Sequence, residues 1–324
     1  MTNKESGSIN YDPPAVMGVF EIQSYIEAIE KNASLYKEKN FHKRIEVIDF
    51  IGFQVIDQIQ EFLQQTAQPD KDLLNQLKYR AETAKAELEE IDNTLFQKIQ
   101  TNIRIQGFIG DQFKNLITEY LDFNIDDKDH QEEIGYDNLD ILINGLFPFQ
   151  TMPVQTKDLE PEMVYYQKTP ARIVFQLVEK SKFKQEDVFY DLGSGLGQVA
   201  ILVNLLSGIT TKGIEIEPAF CNYARDSASE LNLPNVTFIN IDARQADYSE
   251  GTIFFMFTPF RGEIMQEVLE ILRKESLQRK IKIITYGPCT AQVALQTWLE
   301  RSPPQYNNIY KLEIFSSIEE IKSN

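Results

Sequence analysis

Through the first 120 or so residues the apolar positions recur at the helical period. Phe20, Ile22, Tyr25, Ile26 and Ile29 form one stripe; Ile45, Ile48, Phe50, Ile51, Val55, Ile56, Ile59, Phe62 and Leu63 form a second, longer one. Asp70 stands as a cap before a third, which carries Leu73, Leu74, Leu77, Ala81, Ala84, Leu88, Ile91 and Leu95. Its richness in Ala, Glu, Lys, Leu and Gln predicts a helix that continues past Ile103. Phe113, Leu116, Ile117, Tyr120 and Leu121 make a short fourth stripe. Apolar faces of this kind predict a bundle of roughly three to five helices that bury them against one another.

The period changes in the second half. Residues 147–168 read as irregular, with Pro148, Pro153 and Pro161. Thr169-Pro170 then predicts a helix start, a capping threonine followed by proline at the first helical position, with Ile173, Val174, Leu177 and Val178 as the buried face. Beyond it, short apolar runs at 188–190, 211–216, 235–241, 252–257 and 281–285 predict strands. Helical stretches at 219–231, 263–277 and 291–299 lie between or after them, and a late strand or hairpin at 309–315 closes the chain. Strands and helices in alternation predict an α/β fold, a doubly wound, Rossmann-like sheet covered by helices on both faces, joined to an N-terminal all-α domain. The expected organisation is a disordered N-terminus over 1–17, a helical domain with an acidic connector over 18–146, and the α/β domain over 147–324.

The candidate chemistry centres on Val188-Phe-Tyr-Asp-Leu-Gly-Ser-Gly-Leu-Gly-Gln-Val199. A strand ends in Asp191, glycines alternate at Gly193, Gly195 and Gly197 around Ser194, and a helical pattern starts at Gln198. Glycines let the backbone turn sharply and let a ligand approach it, and the helix N-terminus aims its N–H groups into the turn. No Gly-Lys-Ser/Thr follows, which excludes a P-loop. The nicotinamide fingerprint Gly-x-Gly-x-x-Gly is also missed, because the third glycine comes one residue early and an acid precedes the turn. Glu215 lies near the end of the second strand, where a carboxylate can accept from both hydroxyls of a ribose. Asp242 follows the third strand, placed to accept from an adenine amino group, with Ala243 leaving room for a ring. Together these residues read as a site for S-adenosylmethionine, and hence as a methyltransferase.

Charge and composition narrow the partners. The chain of 324 residues has a net charge of −17, and residues 1–150 hold 27 acids against 14 basic residues, so the acidity belongs to the helical half. That balance disfavours direct nucleic-acid binding and permits a basic protein substrate. Cys221, Cys289, His42 and His130 are isolated in the sequence, so no metal site is expected. The polar first residues and the lack of any run near the roughly 18 apolar residues of a membrane span point to the cytoplasm.

Asp191-Leu-Gly-Ser-Gly-Leu-Gly-Gln-Val199 with Gly213-Ile-Glu215 resembles the class I S-adenosylmethionine-dependent methyltransferases. The Gln198-Val199 ending, with Met163-Val-Tyr-Tyr-Gln-Lys-Thr169 upstream, is more similar to one branch, the non-SET histone-lysine methyltransferases of the disruptor-of-telomeric-silencing type. The resemblance spans about residues 158–290 and leaves out the N-terminal helices. It implies that the loop Gly193 to Gly197 holds the cofactor, that Glu215 holds its ribose and Asp242 its adenine. The family's Val-Tyr-Gly-Glu-Thr loop covers the methionine part; here Val164-Tyr165-Tyr166-Gln167-Lys168-Thr169 stands there, with Tyr165 and Thr169 as the matches. After the fourth strand the family has Asn-Asn-Phe-Ala-Phe along the lysine channel, and this chain has Met256-Phe-Thr-Pro-Phe260. The family's basic nucleosome-binding tail is also absent from this sequence.

The acceptor pocket is expected from Tyr166, Thr258, Phe260 and Tyr286, and no residue type forces the role of general base. A lysine-bearing protein is the favoured acceptor. A small-molecule methyltransferase with the helices as a lid stays open. So does a nucleic-acid enzyme, whose Asn/Asp-Pro-Pro-Tyr/Phe motif is half matched by Thr258-Pro-Phe260. A non-catalytic interaction module on the same fold is the remaining alternative.

Overall fold

The stretch of highest helix propensity forms the longest element, 39 residues from Gln68 to Gln106 in this computed structural model. The structure describes residues 17–65, 68–121, 135–147, 151–303 and 308–318. The expectation of disorder over 1–17 falls, up to residue 16, outside these residues, as does most of the acidic connector.

Helices α1 (Val19–Glu30), α2 (Phe41–Phe50), α3 (Asp57–Gln65) and α4 (Gln68–Gln106) carry the predicted stripes. The second stripe is not one helix. A π-helical turn, Ile51–Ile56, separates α2 from α3 and keeps Ile51, Val55 and Ile59 buried. Further on come α5 (Asp111–Thr118), α6 (Asn138–Leu146) and α7 (Ala171–Ser181). The chain divides into two compact units: one runs to Lys98 and includes Glu119–Asp122, the other takes Ile99–Thr118 and continues from Phe123. The expected boundary at 146/147 does not coincide with this division. Helices α5 and α6 belong to the second unit: Gly110 N ahead of α5 donates to Leu205 O at 2.7 Å, and Asp140 of α6 accepts from Ala171 N at 2.8 Å.

The first unit is held by an aliphatic core from Ile22 through Val47 and Ile59 to Leu88. It also buries one cation. Arg44 donates to Asp92 at 2.7 Å and to the carbonyls of Leu35, Lys37 and Glu38, so that its charge is paired and its other donors are used.

In the second unit, β1 (Val188–Leu192), β2 (Thr210–Glu215), β3 (Val236–Asn240), β4 (Ile253–Met256), β5 (Lys282–Thr285), β6 (Leu299–Arg301) and β7 (Glu313–Ser317) form one sheet in the order β3-β2-β1-β4-β5-β7-β6. The first five run parallel, and β7 inserts antiparallel beside β5. Every residue of β4 is buried, as a central strand covered on both faces requires. Helices α8 (Gln198–Ser207), α9 (Pro218–Glu230) and α10 (Gly262–Ser276) supply the crossovers. Two late expectations change: the helix over 291–299 shrinks to α11 (Thr290–Ala294) before Leu299 joins β6, and the last strand starts at Glu313. The chain leaves β1 towards β2 and β3, then crosses back to β4 on the other side. The crevice where ligands sit in open sheets of this kind therefore opens between the ends of β1 and β4.

Candidate active site

A cleft of about 1040 Å³, open mouth included, lies at those strand ends. Its floor is the glycine turn. Gly193 N and Ser194 N both donate to Ile214 O, at 2.9 and 3.0 Å, which ties the turn to β2. Gly195 takes φ +53°, and an added Cβ there would overlap the ring of Tyr166, so this position needs glycine on both backbone and steric grounds. Its N–H donates to Glu215 Oε2 at 2.7 Å, while Glu215 Oε1 accepts from Glu217 N at 2.8 Å. Glu215 thus holds the turn through backbone donors while lining the cleft.

Nearly all the expected donor-side residues come together here. Tyr165, Thr169, Asp191, Gly193, Ser194, Gly195, Gln198, Glu215, Asp242 and Ala243 line the cleft. Gly197 does not. Its φ is +83°, and its missing side chain makes room for Phe238 and Ala224, so it serves helix–strand packing behind the turn. Thr169 is not the helix cap either. Pro170 occupies the position before α7, and Asp140 of α6 accepts the first free N–H. That leaves Thr169 buried in the cleft wall, its carbonyl accepting from Gln198 Nε2 at 3.4 Å. The two neighbouring tyrosines differ. Tyr165 is 76 % exposed at the rim, whereas Tyr166 lies over Gly195 and meets Phe220 edge-on at 5.7 Å.

On the other side of the cleft Phe257, Thr258, Pro259 and Phe260 form the wall, with no ionisable side chain among them. Thr258 has φ +42°, a strained setting for a β-branched residue. Its hydroxyl accepts from Cys289 N at 3.1 Å. Tyr286 is absent from the lining: it is buried behind Phe257, with ring centroids 4.8 Å apart. Burial holds the Tyr286 and Tyr166 hydroxyls above the usual phenol range.

The residues that sequence reasoning missed include neighbours of those strand ends and part of the segment before α7. Ile216, Glu217 and Phe220 follow β2, Ile241 precedes Asp242, and Gln155, Leu159 and Met163 come from the segment before α7. Counting outward from each strand end would have found the first four. Nothing local marks the others.

The electrostatics favour a cationic guest. Burial, reinforced by the Glu215 charge, pushes the Asp191 carboxyl up to about 8. Burial also raises Glu215 despite its backbone donors. Asp242 is held low by the Arg244 guanidinium, which it chelates at 2.6 Å. Two buried polar atoms of cleft-lining residues have no partner within the chain: Gln198 Oε1, and Ser194 Oγ, which packs over Gly213. A ligand with a positive amino group, a donor for Gln198 Oε1, and a ribose above Glu215 fits this set of donors and acceptors. S-adenosylmethionine has all three. Among the described residues no cluster could hold a metal, and no helix is long and apolar enough to cross a membrane.

Comparison with known proteins agrees with this geometry. Residues 161–254 match the family described as histone methylation protein DOT1. A protein-lysine N-methyltransferase of Saccharolobus islandicus (strain REY15A) is 26 % identical over 125 residues, covering 37 % of this chain and 71 % of that protein. The chain is an S-adenosylmethionine-dependent methyltransferase, similar over residues 161–254 to the DOT1 type. The matched residues of this methyltransferase run from the segment before α7 to the start of β4, and so take in the glycine turn, Glu215 and Asp242. Among solved structures it is similar to an RNA methyltransferase from Salinibacter ruber in complex with S-adenosyl-L-homocysteine, at 25 % identity and TM-score 0.39, covering 49 % of this chain and 98 % of that one. It is also similar to a SAM-dependent methyltransferase from Aquifex aeolicus, at 16 % identity and TM-score 0.35, covering 44 % and 87 %.

Proposed function

We propose that this methyltransferase transfers a methyl group to a lysine side chain of a basic protein. The observation that carries the reading is the match of residues 161–254 to a family of histone methylation proteins, with the protein-lysine methyltransferase relative in support. The cofactor would rest on Gly193, Ser194 and Gly195, with Glu215 at its ribose, Asp242 and Ala243 at its adenine, and Asp191 facing its amino group. Bound there, it supplies an electrophilic methyl group to an acceptor aligned with the carbon–sulfur bond.

The acceptor side is consistent with an amine. An ammonium group entering beside Phe257, Pro259 and Phe260 leaves water for a wall without charge, and desolvation lowers its hold on the proton. The proton passes to solvent as the amine enters, and the neutral amine then presents its lone pair without a dedicated general base. The net charge of −17 supports a basic partner and opposes a polyanion.

The test is incubation with radiolabelled S-adenosylmethionine and fractionated lysate, followed by separate protease and nuclease digestion. Label that protease releases and nuclease does not, recovered as methyl-lysine after hydrolysis, is the expected result. Label in nucleic acid or in a small molecule overturns the lysine reading.

A further inference from the structure

The segment 151–168 forms one wall of the cleft through Gln155, Leu159 and Met163–Gln167, yet it contains no helix and, among the described residues, only a single bridge to Phe260. Something other than regular structure must hold it in place. Four points of attachment do so. At its far end, Lys168 O accepts from Tyr136 Oη at 2.6 Å. Towards α10, Val164 N donates to Pro259 O at 3.1 Å, and Glu162 accepts from Ile264 N at 3.0 Å. At the end of β3, Arg244 bridges Asp242 and Glu160, at 2.6 and 2.8 Å. At the end of β2, Glu217 accepts from Thr156 N at 3.0 Å, Thr156 Oγ1 at 2.6 Å and Lys157 N at 2.7 Å, while also capping α9 through Ala219 N at 3.0 Å.

The Glu217 attachment stands out. Its side chain is only 2 % exposed, and burial works to raise its carboxyl, but the four donors outweigh that and keep it below the usual carboxylate range. A fully ionised, buried carboxylate with four charge-assisted hydrogen bonds is a strong, directional anchor. It also sits two residues after Glu215, whose Oε1 accepts the Glu217 N–H. The strap and the ribose acid are therefore fixed by one short piece of backbone.

We propose that Glu217 is a positioning residue: it latches the strap 151–168 over the cofactor and so sets how long the cofactor stays. Ligand escape past Gln155 and Leu159 needs Thr156 and Lys157 to leave Glu217. This rests on the cofactor reading above.

The experiment uses the full chain and S-adenosylhomocysteine. Thr156→Val keeps the shape of an exposed strap residue that does not line the cleft and removes only the hydroxyl donated to Glu217. Glu217→Gln tests the anchor itself. Stopped-flow dissociation should be faster in Thr156→Val by roughly three- to tenfold, the net scale of one ordinary hydrogen bond at an exposed residue, and faster still in Glu217→Gln. Amide exchange over 152–160 should rise in the ligand-free variants. A Thr156→Val off-rate equal to that of the parent protein overturns the latch, whatever Glu217→Gln does to folding. A parent protein that binds no S-adenosylhomocysteine overturns the cofactor reading and the latch with it, a result distinguishable from failure of the latch alone.

Discussion

Where β1, β2 and β3 end, the cleft presents Asp191, Glu215 and Asp242 around a turn that only glycine can make. Where β4 ends, the same cleft presents Phe257, Thr258, Pro259 and Phe260. The first side is built from groups with one geometric job each: an acceptor at a fixed height, or a backbone shape closed to other residues. Few residue types can do those jobs, and their spacing along the chain is set by the βαβ repeat. The second side needs shape and low polarity, which many residue combinations provide. Groups with one geometric job thus leave a legible pattern, and a wall defined by shape leaves only a surface.

The largest expected effect is on the donor side. Gly195→Val forces a side chain into a left-handed position already covered by the Tyr166 ring. It should weaken S-adenosylhomocysteine binding by at least about a hundredfold in calorimetry, the scale of a few kcal/mol of backbone strain and overlap. Ordinary affinity in that variant would mean the turn is not where ligand lies.

Glu215→Gln comes next. The amide would present an N–H towards a backbone donor, such as Gly195 N or Glu217 N, that the carboxylate now accepts. Affinity should fall about tenfold or more. A thermal shift without a change in affinity would reduce Glu215 to a brace for the turn.

Asp191 sharpens the comparison through pH. Its carboxyl ionises at about 8 in the folded chain, against about 4 in an unfolded one. The folded state therefore binds the extra proton over that window. Asp191's own contribution to the stability of the ligand-free protein is fully present below about 4 and is lost as pH rises through 8. Asp191→Asn should flatten the fall and raise Tm more at pH 9 than at pH 5, judged by melting curves across about that range. A cationic ligand favours the ionised form, so binding to the parent protein should release protons and tighten with pH up to about 8. A Tm profile identical in parent and variant would remove Asp191 from this account.

The smallest effect belongs to the acceptor side. Thr258→Asn places at φ +42° a residue that tolerates the left-handed region, with an oxygen still able to accept from Cys289 N. It should stabilise the chain by no more than about 1 kcal/mol and leave S-adenosylhomocysteine affinity unchanged while altering methylation of the acceptor. A loss of cofactor affinity comparable to that of Glu215→Gln would erase the division between the two sides.

The alternation of strands and helices, the glycine turn, Asp191, Glu215 and Asp242 were all readable from residue order. Each depends on local chemistry: a period, a left-handed turn, a carboxylate at a strand end. So was the long helix past Ile103, because propensity sums over a long window. Tertiary structure alone decided the rest. It put Tyr166 rather than Tyr165 over the turn, moved Gly197 from ligand to packing, set Tyr286 behind Phe257, and gave the cap of α7 to Asp140, 31 residues upstream of Ala171. It also tied the strap to Glu217 across some 60 residues of chain. These outcomes turn on which side chain reaches a shared space first, and on which distant donor meets a buried acceptor. No periodicity or motif records such meetings, because the partners are brought together only when the sheet and its helices close around them.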